Sequence, residues 1–122
     1  MAKRTSNWCR PKKRLAIYLR DGYACTYCRR TAESGAFMTL DHVLAHVLGG
    51  ANSPDNLVTA CRRCNSRKKA LSVDEFAIIL SDEGINPRRI RKRIRRRTQT
   101  DLRPYLAMAS LVLKTRQETA DE

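Results

Sequence analysis

Apolar residues first gather at Leu15, Ile17, Tyr18 and Leu19, behind Pro11 and ahead of Asp21-Gly22. Proline suits the first turn of a helix and glycine tolerates the left-handed backbone that ends one, so the pattern predicts a helix over Pro11–Arg20. The pattern then shifts to a weak alternation with branched and aromatic residues over Phe37–Val43, which predicts a strand. Gly49-Gly50, Asn52-Ser53-Pro54 and Asp55 mark a loop, and Leu57–Thr59 reads as the returning strand. A tight turn at Cys25–Cys28 and a second at Cys61, running into a short basic helix to Ala70, flank this hairpin. Helical spacing then takes over. Ser72 and Glu75 fit a capping box ahead of an apolar face of Phe76, Ile79 and Leu80, and Gly84 closes that helix. Asn86 and Pro87 open the next as N-cap and first residue, to about Arg97. A last helix is expected over Arg103–Gln117, with Tyr105, Met108, Ala109 and Val112 on one stripe. The pattern divides the chain into a basic arm over 1–13, a compact module over 14–71 and a helical extension over 72–122 packed on or beside it.

Charge narrows the partners. The 122 residues carry 25 Lys and Arg against 12 Asp and Glu, a formal charge of +13. Such an excess on one small domain points to polyanions: DNA, RNA or anionic lipid. The longest nearly apolar stretch, Leu106–Leu113, is far short of the about 20 residues a membrane span needs. The basic N-terminus leads into no apolar signal-peptide core, so the expected location is the cytoplasm, of bacterial or phage origin. Thiols stay reduced there, and five cysteines then suggest metal rather than disulfides.

Four of those cysteines form two Cys-x-x-Cys pairs, Cys25/Cys28 and Cys61/Cys64, with thirty-two residues between the pairs. Two residues between cysteines let one turn aim both sulfurs at a common ion, and two such turns complete the closed tetrahedron of thiolates that structural Zn²⁺ prefers. Zinc would also explain how so little apolar core holds a fold. A thioredoxin-like βαβ pattern is missing, which argues against a redox pair. Cys9 has no partner at ligand spacing and reads as a spare thiol.

The segments RDGYACTYC at Arg20–Cys28, LDHV at Leu40–Val43, Gly49-Gly50, NLV at Asn56–Val58 and CRRCNSRK at Cys61–Lys68 together resemble an HNH endonuclease of the zinc-containing type. The resemblance covers residues 14 to about 71. It implies an α+β, treble-clef-like ββα-metal fold pinching one catalytic divalent cation. It implies His42 as the general base that activates water and Asp41 as a metal ligand. It implies Asn56 as the residue that steadies the loop between the strands and helps orient the base. Asn65 then stands at the final position, as the second metal ligand. The chain departs from the family at Ala45, where members often carry proline, and His46 is a further candidate for phosphate or metal.

General chemistry agrees with those roles. An imidazole, with an ordinary pKa of about 6.5, accepts a proton near neutral pH. Asp41 and Asn65 offer hard oxygen donors suited to Mg²⁺ or Mn²⁺. Such an ion polarises a phosphate and stabilises a leaving 3′ oxygen. In a strand, however, Asp41 and His42 point to opposite faces. Each residue also has a plainer reading: Asp41 as a turn cap, Asn56 as a turn residue, Asn65 as the N-cap of the helix that follows it.

The segment NPRRIRKRIRRR at 86–97 holds eight cations and no acid: Arg88, Arg89, Arg91, Lys92, Arg93, Arg95, Arg96 and Arg97. Ile90 and Ile94 give it a thin apolar docking edge, and its guanidinium groups suit phosphates. Arg62, Arg63, Arg67, Lys68 and Lys69, with Lys12, Lys13 and Arg14, extend the expected DNA-binding surface. These are backbone-positioning residues, with no base-reading code among them. The expectation is a metal-dependent DNA endonuclease or nickase. The competing readings are a non-catalytic zinc-stabilised nucleic-acid-binding module and an adaptor whose C-terminal helices dock a protein partner through Tyr105–Leu113.

Overall fold

A computed structural model describes residues 8–120; the first seven residues of the expected basic arm lie outside the described residues. The chain is α+β. Helix α1 (Pro11–Arg20) leads into the first cysteine turn, strands β1 (Met38–His42) and β2 (Leu57–Cys61) pair antiparallel, and α2 (Arg62–Lys68) follows directly. Helices α3 (Val73–Ser81), α4 (Pro87–Gln99) and α5 (Arg103–Ala120) complete it. The ββα unit therefore stands between one N-terminal and three C-terminal helices.

The local signals explain the boundaries. Pro11 starts α1. Ser72 and Glu75 form a reciprocal capping box on α3, and the Asn86 side chain accepts from the Arg88 N–H at the start of α4. Short helical turns at His46–Leu48 and Pro54–Asn56 fold the loop between the strands, where the sequence pattern showed only turn residues.

Two apolar clusters flank the hairpin. One gathers the cysteines with Tyr27, Phe76, Ala77, Leu80, Ile90 and Ile94, so α3 and α4 pack around the cysteine turns. The other joins Leu15, Ala16 and Ile17 of α1 to Leu40, Leu57, Leu102 and Ala109, and α5 lies along α1. Cys9, the expected spare thiol, is buried in this second cluster, and burial raises its pKa. Two face assignments are corrected. Ile79 is 40% exposed and Met108 46% exposed, while Ala77 and Leu106 turn to the protein in their place. The apolar stripes are each rotated by a residue or so because the neighbouring element, not the helix's own pattern, decides which side is covered.

A buried ion pair ties α1 to β2. Arg20 grips the Asp21 carboxylate through two nitrogens, at 2.7 and 3.1 Å, and reaches the carbonyls of Pro54 (3.0 Å) and Leu57 (2.7 Å). Asp21 in turn accepts the Thr59 N–H at 2.8 Å. Both charges are fully satisfied, which is the condition for burying them.

Candidate functional site

The first cysteine turn is closed by Cys25 N–H to Arg30 O (2.8 Å) and Arg29 N–H to Cys25 O (3.0 Å), and it is hung on β2 through Thr26 N–H to Thr59 O (2.9 Å). The second turn is the start of α2, with Cys61 as its N-cap and the Cys64 N–H directed at the Cys61 sulfur. All four sulfurs lie within 4.8 Å of one another, and Cys28 Sγ is 3.7 Å from Cys61 Sγ. Thiolates around one tetrahedral zinc stand about 3.8 Å apart, from about 2.3 Å Zn–S bonds. The four cysteines are thus positioned to hold a metal ion, and the all-sulfur donor set fits zinc. Their titration points the same way. A hydrogen bond from Cys64 pulls Cys25 down to about 5, while burial pushes Cys28 up to about 11 and the bond to Cys25 raises Cys64. So many thiolates this close repel one another unless a cation neutralises them.

The hairpin loop carries the other candidates. Asn56 clamps it with three bonds: its Oδ1 accepts the Leu44 N–H (2.8 Å), and its Nδ2 donates to the carbonyls of Leu44 (3.0 Å) and Ala51 (2.9 Å). The loop closes so tightly that a Cβ on Gly50 would lie 1.7 Å from Leu44 O and 2.9 Å from Asn56 Nδ2. Gly50→Ala is therefore expected to destabilise the protein by about 2–3 kcal/mol and to open the loop to protease. Wild-type thermal unfolding and proteolysis in that variant would contradict this loop closure.

His42 ends β1 on the side away from Asp41. Its Nε2 meets Asn52 Oδ1 at 2.7 Å, its ring lies 4.9 Å from Trp8 and 5.6 Å from His46 between centroids, and the Arg14 guanidinium lies over the Trp8 ring. An amide oxygen only accepts, so Nε2 is the donor in this contact. Lys13 donates to the Asn52 carbonyl. Asn52 and Trp8 are absent from the sequence-based site, where Asn52 read only as a loop residue, and Lys13, expected on the DNA-binding surface, instead holds the Asn52 carbonyl from α1.

Asp41 is buried. Its carboxylate accepts from Tyr27 Oη at 2.5 Å and lies 3.4 Å from the Lys68 ammonium, which also donates to His42 O at 3.1 Å. Burial raises the Asp41 pKa, and the Lys68 charge opposes that rise. Burial likewise holds Tyr27 protonated, well above its usual range. Asn65, on α2, donates its Nδ2 to Thr39 Oγ1 (2.9 Å) and Leu40 O (3.2 Å). Its Oδ1 takes no protein donor among the described residues. Because β1 ends here, both of its faces border one cavity of about 360 Å³, lined by Asp41, His42, His46 and Asn65 together with Trp8 and Lys69. Asp41 and Asn65 both line it, and a carboxylate with an amide is a donor pair that suits a hard divalent cation. His46 also borders it, with Nδ1 3.3 Å from Gly50 O.

The basic residues divide into two groups. Lys68, expected on the DNA face, is fully buried against Asp41; helical spacing from Cys61 and Cys64 places it on the inner side of α2. Arg97 donates to Ala24 O and Thr26 Oγ1, both at 2.8 Å, and Arg93 donates to Thr26 O, so these two brace the first cysteine turn. Desolvation lowers the pKa of both. Arg67 pairs with Glu83 and Arg91 with Asp74. Arg62, Arg63, Lys69, Arg88, Arg89, Lys92, Arg95 and Arg96 are exposed. Among the described residues, no helix is long and apolar enough to cross a membrane.

Against known proteins, residues 25–78 match the family model described as HNH endonuclease. No curated protein and no solved structure matches the chain.

Proposed function

We propose that this chain, which through residues 25–78 belongs to the HNH endonuclease family, hydrolyses phosphodiester bonds of DNA with His42 as general base. The observation that carries the reading is the meeting of His42, Asp41 and Asn65 on one cavity wall. A module that only binds nucleic acid needs the surface cations but has no use for that convergence.

In this reading Zn²⁺ on Cys25, Cys28, Cys61 and Cys64 is structural. It fixes the start of α2 and hence the position of Asn65 relative to β1. Asn52 holds the His42 ring by Nε2, and Nδ1 takes a proton from water as the water oxygen bonds to phosphorus. The bond from phosphorus to the 3′ oxygen breaks, and the leaving oxygen is protonated from solvent. Asp41 and Asn65 would hold a Mg²⁺ or Mn²⁺, with His46 a further candidate ligand, and the ion would stabilise charge on the phosphate and the leaving oxygen. Tyr27 and Lys68 keep the Asp41 side chain in one orientation. Asn56 keeps the loop that carries His46 and Asn52 closed.

The test is product chemistry on an end-labelled duplex incubated with Mg²⁺ or Mn²⁺. The account expects 5′-phosphate and 3′-hydroxyl ends; cuts bearing 3′-phosphate would contradict it.

The outward face of α4 supplies the electrostatic footing. Arg88, Lys92, Arg95 and Arg96 are exposed, lie on the side opposite Ile90 and Ile94, and pair with no acid among the described residues. Changing all four to Gln should lower the slope of log K against log salt by up to about 3–4, since each phosphate contact contributes about 0.9 on duplex DNA. An unchanged slope would place the DNA elsewhere. Arg93→Gln and Arg97→Gln should instead lower the unfolding temperature, because both side chains brace the cysteine turn.

A further inference from the structure

The backbone of Lys69, just past the end of α2, sits at φ 50°, ψ −125°. The left-handed helical region has ψ of about +30 to +60°, so this residue lies outside every region that an L side chain occupies comfortably. Glycine alone makes such a turn without steric cost. The turn itself is needed: the Lys69 N–H bonds Asn65 O at 3.1 Å and ends the helix. Nothing in that bond requires a side chain. Strained backbone of this kind persists only where the surrounding structure imposes it, and it clusters at functional sites.

The side chain stands on the wall of the cavity shared by Asp41, His42 and Asn65. It is the last of three successive cations, and the other two are committed. Arg67 pairs with Glu83, and Lys68 is buried on Asp41. Lys69 is exposed and meets no carboxylate among the described residues.

We propose that Lys69 is a catalytic residue, its ammonium contacting a non-bridging oxygen of the scissile phosphate. This rests on the nuclease reading above. The phosphate gains negative charge as water adds, so a cation beside it stabilises the transition state more than the bound substrate. The lysine keeps its proton throughout.

Three proteins decide it: wild type, Lys69→Met and Lys69→Gly, each measured for plasmid nicking under single turnover in Mg²⁺ or Mn²⁺, for duplex affinity without the divalent ion, and for thermal unfolding. Lys69→Met keeps the strain and removes the charge. Its rate should fall by about 30- to 1000-fold, with affinity within about threefold and an unchanged unfolding temperature. Lys69→Gly should lose rate equally and unfold about 3 °C or more above Lys69→Met. A Lys69→Met protein that nicks within about threefold of wild type overturns the proposal. So does a rate loss matched by an equal loss of affinity, and so does a glycine variant no more stable than the methionine one. A wild-type protein inactive with every ion overturns the nuclease reading itself, whereas an active wild type with an active Lys69→Met removes Lys69 alone.

Discussion

Cys61→Ser is expected to abolish zinc binding by the four-cysteine cluster and to unfold the protein in one step. Cys61 carries three duties at once: it is a sulfur of the four-cysteine cluster, the last residue of β2 and the N-cap of α2. The cluster is also part of an apolar core, packed against Phe76, Leu80 and Ile90. Structural zinc contributes about 10–16 kcal/mol of apparent binding free energy in small domains, against a net stability of about 5–15 kcal/mol for a typical fold. Losing the ion therefore removes an amount comparable to the whole margin. Without it, the three remaining thiols and the serine have no ion to gather around, and nothing draws the two turns together. Metal analysis alongside thermal unfolding checks this. A zinc-free variant that unfolds cooperatively at the wild-type temperature would contradict it.

His42→Ala is the complementary case, with the fold kept and the chemistry lost. The histidine is half-buried at the end of β1, and among the described residues its side chain hydrogen-bonds to Asn52 alone. Truncating it leaves Asn52 open to water at the cavity mouth, so the unfolding temperature should stay near that of wild type. A general base contributes about 100- to 10,000-fold to a rate, and the variant should lose cleavage on that scale while still shifting DNA in a gel. Equal cleavage by the variant would remove His42 as base. A rate loss accompanied by loss of zinc would make it structural instead.

Much of the fold was legible because its signals are local. Pro11, Ser72 with Glu75, and Asn86-Pro87 each mark a helix start within a few residues, and all three helices begin there. The paired Cys-x-x-Cys turns likewise carry their own geometry, and the four sulfurs cluster. What stayed hidden depends on partners distant in the chain. A run of Arg and Lys looks solvated throughout, yet Lys68 follows Cys61 and Cys64 at helical spacing and Arg97 follows Ile90 and Ile94, so each shares the inner side of its helix. Their charges survive burial because Asp41, Asp21 and backbone carbonyls meet them. The surroundings of His42 were harder still. Trp8 and Asn52 reach it from separate segments, Lys13 holds the Asn52 carbonyl, and no periodicity connects them.

The most direct test of the account is the fate of supercoiled plasmid under the zinc-loaded wild-type protein, with and without added Mg²⁺ or Mn²⁺. The account predicts relaxed circles that accumulate only when the divalent ion is present. Plasmid left supercoiled with every ion, by protein that holds its zinc and binds the DNA, would contradict it.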